Sequence, residues 1–265
     1  MTKFDTYLSL LKFSISHPKQ GISLFKEFKN TNSNNKENLK KFSVQPKTVS
    51  EILLYLFKNS YQKNNSLKSL ESHLENFFKQ LDLLDYPSKK KPYPVDYSIL
   101  GDSGPFLYYL CKEIKPEIII ETGVAYGVSS SYILQALNEN KKGQLISIDS
   151  IFRPWQTEEM IGSAIPTSLK SRWDLCVGSS DNLLDNIFQK YSQVDIFLHD
   201  SLHTYQNMMF EFKKSWPYIK SNGYLLSDDI LENNAFYDFC NTLKKKPSLL
   251  YQRLQPVSLM GIIQK

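Results

Sequence analysis

Cysteine is scarce in this chain: Cys111, Cys176 and Cys240 are the only three among 265 residues, and no two of them form a C-x-x-C pair. That excludes a disulfide-stapled scaffold and a thiolate zinc cluster. Each cysteine directly follows a Leu or a Phe, the setting of a small apolar residue in a packed interior. Long apolar runs are missing too. Residues 1–30 contain Leu8, Leu10, Leu11, Phe13 and Ile15, but Asp5, Lys12, His17 and Lys19 interrupt them. Neither a signal sequence nor a membrane span fits that pattern, so the expected location is the cytoplasm. No block of like charge stands out. The net charge of +5 is dispersed, and the short runs Lys89 to Lys91 and Lys244 to Lys246 are each followed by proline. They read as solvated loops, so neither nucleic acid nor a membrane is an expected partner. The dinucleotide fingerprint G-x-G-x-x-G is also absent, because Ala125 and Val128 hold its second and third glycine positions when it is read from Gly123.

What is present is the stretch Glu121-Thr-Gly-Val-Ala-Tyr-Gly127, which follows the apolar run Ile118 to Ile120 and precedes Ser129, Ser130 and a helical pattern. This is a strand, a tight turn and a helix start. Gly123 can take φ > 0, Gly127 lets the backbone approach a ligand, and the helix N-terminus presents free N–H groups. A second acid, Asp149, closes the next strand, Leu145 to Asp149. The spacing fits the acid-x-Gly-x-x-x-Gly pattern of class I S-adenosylmethionine-dependent methyltransferases. In such a site a carboxylate at the second strand tip accepts the ribose hydroxyls, and one at the first strand end can hold the cationic methionyl group. The bland alternative is a pair of ordinary turn glycines with Asp149 as a helix cap.

The chain is long enough for one full α/β core with about 90 residues to spare, and the surplus lies at the N-terminus. Residues 1–95 read as a helical extension with an Asn- and Lys-rich polar linker near residues 30–41, and residues 96–265 as the cofactor-binding domain. Helical periodicity spans Glu51 to Lys58 and Ser66 to Leu84, the latter with a Leu and Phe stripe suited to core or dimer packing. A leading helix is expected over Tyr97 to Glu113. From Pro116 strands near residues 117–121, 144–149, 173–177, 194–199 and 222–227 alternate with helices, which predicts a parallel sheet covered on both faces. A hairpin should close the chain over Leu249 to Gln264.

The second constellation is Val194-Asp-Ile-Phe-Leu-His-Asp200-Ser-Leu-His203-Thr-Tyr205, a buried strand running into polar groups. The next strand ends in Ser227-Asp228-Asp229. Adjacent parallel strands bring these carboxyl ends side by side at the ligand-binding edge. Crowded carboxylates raise one another's pKa unless a cation joins them, and an oxygen-rich site suits Mg²⁺ or Mn²⁺.

From about Tyr97 onward the chain resembles the macrocin and mycinamicin type sugar O-methyltransferases and the cephalosporin hydroxylase-like proteins. The matching pieces are Glu121-Thr-Gly-Val-Ala-Tyr-Gly-Val-Ser-Ser, His199-Asp-Ser-Leu-His-Thr-Tyr and Ser227-Asp-Asp-Ile. The resemblance implies a Rossmann-like class I methyltransferase fold, a mostly parallel seven-stranded sheet with helices on both faces and a C-terminal antiparallel strand. It implies S-adenosyl-L-methionine as cofactor, Asp200, Asp228 and Asp229 as metal ligands, and methyl transfer to a hydroxyl of a small molecule or sugar. Some relatives have Glu in place of Asp228. His203, the histidine of D-x-x-H, becomes a general base or a residue that hydrogen-bonds Asp200, and His199 a structural residue. Gly123, Gly127, Tyr126 and Ser129 are cofactor-lining candidates beside Glu121, Asp149 and Asp200. Ser179 occupies the place near adenine where such enzymes usually carry an acid, and Asp181 is expected to cap the helix after it. Tyr205, Trp155 and the loop of Phe152, Arg153 and Pro154 are candidate acceptor walls. Two other classes stay open: a non-haem iron hydroxylase using His203, Asp200 and Asp228, and a scaffold that keeps the fold without turnover. Relatives are often oligomeric, which makes a homo-oligomer an expectation.

Overall fold

A computed structural model describes residues 39–59, 65–94, 101–151, 153, 155–254 and 256–265, together with residues 11, 14, 15 and 18. The amphipathic pattern of residues 1–30, most of the polar linker, and Phe152, Pro154 and residues 97–100 lie outside them. The chain runs through α1 (Val49–Phe57), α2 (Asn65–Asp82), α3 (Ser103–Ile114), β1 (Ile118–Thr122), α4 (Val128–Asn140), β2 (Gln144–Asp149), β3 (Trp173–Val177), α5 (Ser180–Lys190), β4 (Val194–His199), α6 (Tyr205–Ser215), β5 (Ile219–Ser227), α7 (Ala235–Leu243), β6 (Ser248–Leu254) and β7 (Val257–Gln264).

The seven strands form one sheet in the order β3-β2-β1-β4-β5-β7-β6. The first five are parallel, and β7 runs antiparallel to both β5 and β6. β1 and β4 read as continuous apolar runs because they sit mid-sheet with both faces covered. Successive strand residues divide between two cores. Ile119, Leu145, Ile196, Leu198 and Leu226 pack with α3 and α4 on one face, whereas Ile120, Ile146, Phe197 and Leu225 pack with α5, α6 and α7 on the other, as the two-residue period of a strand requires. β5 begins at Ile219, earlier than the sequence pattern suggested, because Val194 pairs with Ile219 before the register shifts to Ile196 and Tyr224. Cys111 and Cys240 are buried as expected, but Cys176 is half-buried, since β3 is an edge strand.

The N-terminal helices join the first of these cores. α1 starts with a reciprocal capping box between Thr48 and Glu51. On α2 the expected stripe is real: Leu70, Leu74 and Leu81 are buried and Phe77 and Phe78 pack against the same cluster. That stripe therefore covers the chain's own domain. Its aromatic end meets Tyr126, whose ring stands edge-on to Phe77, Phe78 and Tyr93 at centroid distances of 5.8, 5.9 and 5.1 Å. The Tyr126 hydroxyl donates to the Tyr93 carbonyl (2.8 Å) and accepts from the Tyr93 amide (3.2 Å). One phenol satisfies both backbone groups of a buried residue.

Substituting Tyr126→Phe strands both of those groups. We expect a loss of about 1–3 kcal/mol of unfolding free energy in urea titrations. An unchanged midpoint would mean that the Tyr93 segment is not docked through this hydroxyl.

Candidate active site

The backbone ladder carries the strand ends of the parallel part to one level. Beyond the strands, Gly123 N donates to Ile148 O, Asp200 N to Thr122 O, Asp228 N to His199 O and Gly178 N to Asp149 O, each at 2.8 Å. The loops that leave β1, β2, β4 and β5 thus start side by side at the carboxyl edge, where open α/β sheets bind ligands.

The glycine turn is tightly fitted. Gly123 has φ +84°, and a Cβ there would stand 2.0 Å from the Asp200 carbonyl oxygen. Gly127, the N-cap of α4, has φ +87°. Between them Ala125 is held at φ 47°, a conformation costly for a residue with a Cβ. Asp149 stabilises it: its Oδ2 accepts from Val124 N (3.0 Å) and Ala125 N (2.8 Å), and its Oδ1 from Ser150 N (2.7 Å). Burial nevertheless lifts the Asp149 carboxyl above its ordinary value, against the pull of those amides.

Glu121 faces inward and is fully buried. Its carboxylate accepts from Ser129 (2.5 Å), Ser130 (2.6 Å) and Ser147 (2.7 Å). Burial raises its pKa and the three hydroxyls oppose the rise. This acid ties β1 and β2 to the first turn of α4, and Ser129 spends its hydroxyl on it. Tyr126, likewise, is engaged with Tyr93 and α2.

At the ends of β4 and β5 the acids are met by fewer donors. Asp200, His203 and Asp228 each offer a ligand atom, all within 4.8 Å of one another. Desolvation and the neighbouring Asp228 push the Asp200 carboxyl well up. Desolvation and Asp229 push Asp228 up to about 7. Asp229 stands beside the group at φ 44°, with its Oδ1 accepting from Ser258 at 2.7 Å. The compact set therefore holds His203 where the sequence suggested Asp229, although Asp229 is near enough to raise both other acids. Oxygen donors crowded without a counter-charge, with one imidazole beside them, fit a hard divalent cation.

His203 precedes α6, whose cap is Thr204, accepting from Asn207 N at 3.3 Å. Burial and the neighbouring His199 push its imidazole down to about 4, so it is neutral near pH 7. Its Nε2 lies 3.9 Å from Asp200 Oδ1. His199 is fully buried beneath it, with ring centroids 5.3 Å apart. The His199 Nδ1 is 2.6 Å from Glu211 Oε2, which also accepts from Thr122 Oγ1 at 2.6 Å. Burial alone would raise Glu211, but His199 and the hydroxyls hold its carboxyl below the ordinary value. The sequence reading missed Glu211, which sits mid-helix in α6 with no motif around it.

Several other expectations resolve locally. α5 starts two residues earlier than expected, so Ser179 is its N-cap and Asp181 falls in the first turn. Trp155 donates its indole N–H to the Pro92 carbonyl at 2.9 Å, tying its loop to the N-terminal segment. Tyr205 donates to Asp238 of α7 at 3.2 Å.

Residues 120–230 match the model of a family described as a methyltransferase domain. Among curated proteins none matches the sequence. Solved structures with the same architecture include an O-methyltransferase from Bacillus cereus in complex with SAH, at 15% identity and TM-score 0.58, covering 82% of this chain and 97% of that one. A second is the O-methyltransferase TomG from Streptomyces achromogenes, involved in tomaymycin synthesis and solved with SAM, at 13% identity and TM-score 0.54, covering 81% and 94%. SAH-bound Podospora anserina methyltransferase PaMTH1 is similar at 14% identity and TM-score 0.51, covering 85% and 100%. The likeness establishes the Rossmann-like methyltransferase fold. No helix among the described residues is long and apolar enough to cross a membrane.

The acid pair gives this fold a stability signature. Asp228 titrates near 7 in the fold against an ordinary 3.8. A group raised in this way contributes stability below its unfolded value and loses it as pH climbs through the folded one. In metal-free buffer Asp228→Asn should therefore melt above the parent at about pH 8 and lose that advantage by about pH 4.5. Thermal scans in chelator check this, and a variant less stable than the parent at the higher pH would contradict it.

Proposed function

We propose that the protein is an S-adenosylmethionine-dependent, divalent-metal-dependent O-methyltransferase of the macrocin and mycinamicin type, acting on a hydroxyl of a small molecule or sugar. The observation that carries this reading is the close confrontation of Asp200 and Asp228 beside His203, in van der Waals reach of the glycine turn through the Asp200 carbonyl. When bound, S-adenosylmethionine supplies an electrophilic sulfonium methyl. A divalent cation supplies a Lewis acid that makes an acceptor hydroxyl easier to deprotonate.

The chain's own residues do the rest. The turn Gly123 to Gly127, Asp149 and Ser179 bind the adenosyl end, with Glu121 and Ser129 fixing the turn onto β1. Asp200, Asp228 and Asp229 hold the cation. His203, neutral near pH 7, takes the acceptor proton on a ring nitrogen while the methyl moves to the acceptor oxygen and the sulfur keeps the bonding pair. The Glu211 and His199 pair props the His203 ring from below. Much of the rate comes from holding donor and acceptor close and collinear.

The compact set of one histidine and two carboxylates also suits non-haem iron. An adenosyl-binding turn has no task in that chemistry, which favours the transferase.

Transfer of labelled methyl to a panel of hydroxylated acceptors tests the reading. Asp200→Asn should abolish transfer and leave S-adenosylhomocysteine affinity within about threefold, whereas Asp149→Ala should weaken that affinity about tenfold or more. His203→Ala should lower turnover more than cofactor affinity. Metal-dependent turnover surviving in Asp200→Asn would overturn the acid assignment.

A further inference from the structure

One side chain with no place in that outline sits at the centre of the C-terminal hairpin. The pairing of β6 with β7 slips by one residue, from Tyr251 opposite Leu259 to Arg253 opposite Ser258, which leaves Gln252 as the extra residue of a bulge. Bulges next to active sites re-aim side chains. Gln252 is 6% exposed and its carboxamide is engaged at both ends. Its Nε2 donates to Asp228 Oδ1 and to Ser103 Oγ, the latter at 2.8 Å. Its Oε1 lies 2.9 Å from Ser258 Oγ, whose single proton it shares with Asp229 Oδ1 at 2.7 Å.

The main chain of the bulge is pinned as well. Its carbonyl accepts from Asp102 N at 3.2 Å. Gly101, at φ +70°, approaches so closely that a Cβ there would stand 2.0 Å from the same oxygen. Only glycine combines that backbone angle with that approach. The entry to α3 and the bulge of β6 are thus built around one carboxamide that ends on the acid pair of β5.

We infer that Gln252 is the positioning residue for the cation site: it fixes the Asp228 carboxylate through Nε2 and the Asp229 carboxylate through Ser258, so that both present oxygen to a hard divalent ion. A neutral donor suits the task. It supports the charged form of Asp228 and adds no charge of its own, whereas a Lys or Arg there would compete with the ion. Hydrogen bonds of this kind to metal ligands set affinity and orientation. The inference rests on the reading of Asp200, Asp228 and Asp229 as a cation site.

The test is titration of the full-length, metal-free protein with Mn²⁺, the free ion being counted by electron paramagnetic resonance, alongside calorimetric titration with S-adenosylhomocysteine. Gln252→Met, close in volume and without polar hydrogens, should weaken Mn²⁺ binding about ten- to a hundredfold and leave S-adenosylhomocysteine affinity within about threefold. Ser258→Ala, a milder change, should weaken Mn²⁺ in the same direction by less and serves if the first variant does not fold. Equal Mn²⁺ affinity in the parent and either folded variant would overturn the role of Gln252 while leaving the cation site standing. A parallel loss of Mn²⁺ and S-adenosylhomocysteine binding would also overturn it, because that is general collapse. If the parent binds no Mn²⁺, the cation-site reading itself fails.

Discussion

Two carboxylates, half-buried Asp200 and buried Asp228, are driven together at the ends of neighbouring parallel strands, and the rest of the molecule is arranged around that confrontation. The ladder that continues from Thr122 to Asp200 and from His199 to Asp228 fixes their spacing. Desolvation is the leading cause of the upward shift at both. Such a pair is unfavourable for folding until a proton or a cation joins it. Its persistence in a well-packed sheet is intelligible as a binding device.

The other acids near the strand ends show what it looks like when the fold itself supplies the donors. Glu121 is surrounded by three serine hydroxyls, Asp149 accepts three amides, and Glu211 is matched by His199 and Thr122. Asp195, at the opposite end of β4, accepts the amides of Glu117 and Ile118 and an ion pair from Lys220. Each of these carboxylates has its charge met by donors the fold supplies. Asp200 and Asp228 chiefly face one another, and Gln252 meets only one oxygen of the pair. The contrast sets acids whose charge is met by the fold apart from an acid pair left to face one another.

Much of this was legible in the residues, for definite reasons. Parallel strands covered on both faces need uninterrupted apolar runs, so β1 and β4 announce themselves, and the glycines after β1 mark a turn that needs positive φ. The motif D-x-x-H brings Asp200 and His203 together by local geometry alone. What failed to show depends on contacts distant in sequence. Gln252 meets Asp228 across 24 positions and Ser103 across 149, and nothing in a lone glutamine signals a bulge. Tyr126 looked like a cofactor-lining residue from its place in the turn, yet its side chain points into the aromatic cluster of α2. The N-terminal helices read as an extension, but their stripes finish the core over α3 and α4. Ser179 rather than Asp181 takes the N-cap position because α5 begins two residues sooner.

The measurement that bears most directly on the acid pair is calorimetric titration of the metal-free protein with Mg²⁺ near neutral pH, in buffers of different ionisation enthalpy, which counts the protons that leave as the ion enters. If Asp200 and Asp228 share a proton in the absence of an ion, binding should release a fraction of a proton up to about one per ion, more at lower pH. Binding with no proton release at any pH between about 5 and 8, or no binding at all, would contradict the account of the site as a carboxylate pair that exchanges a proton for a cation.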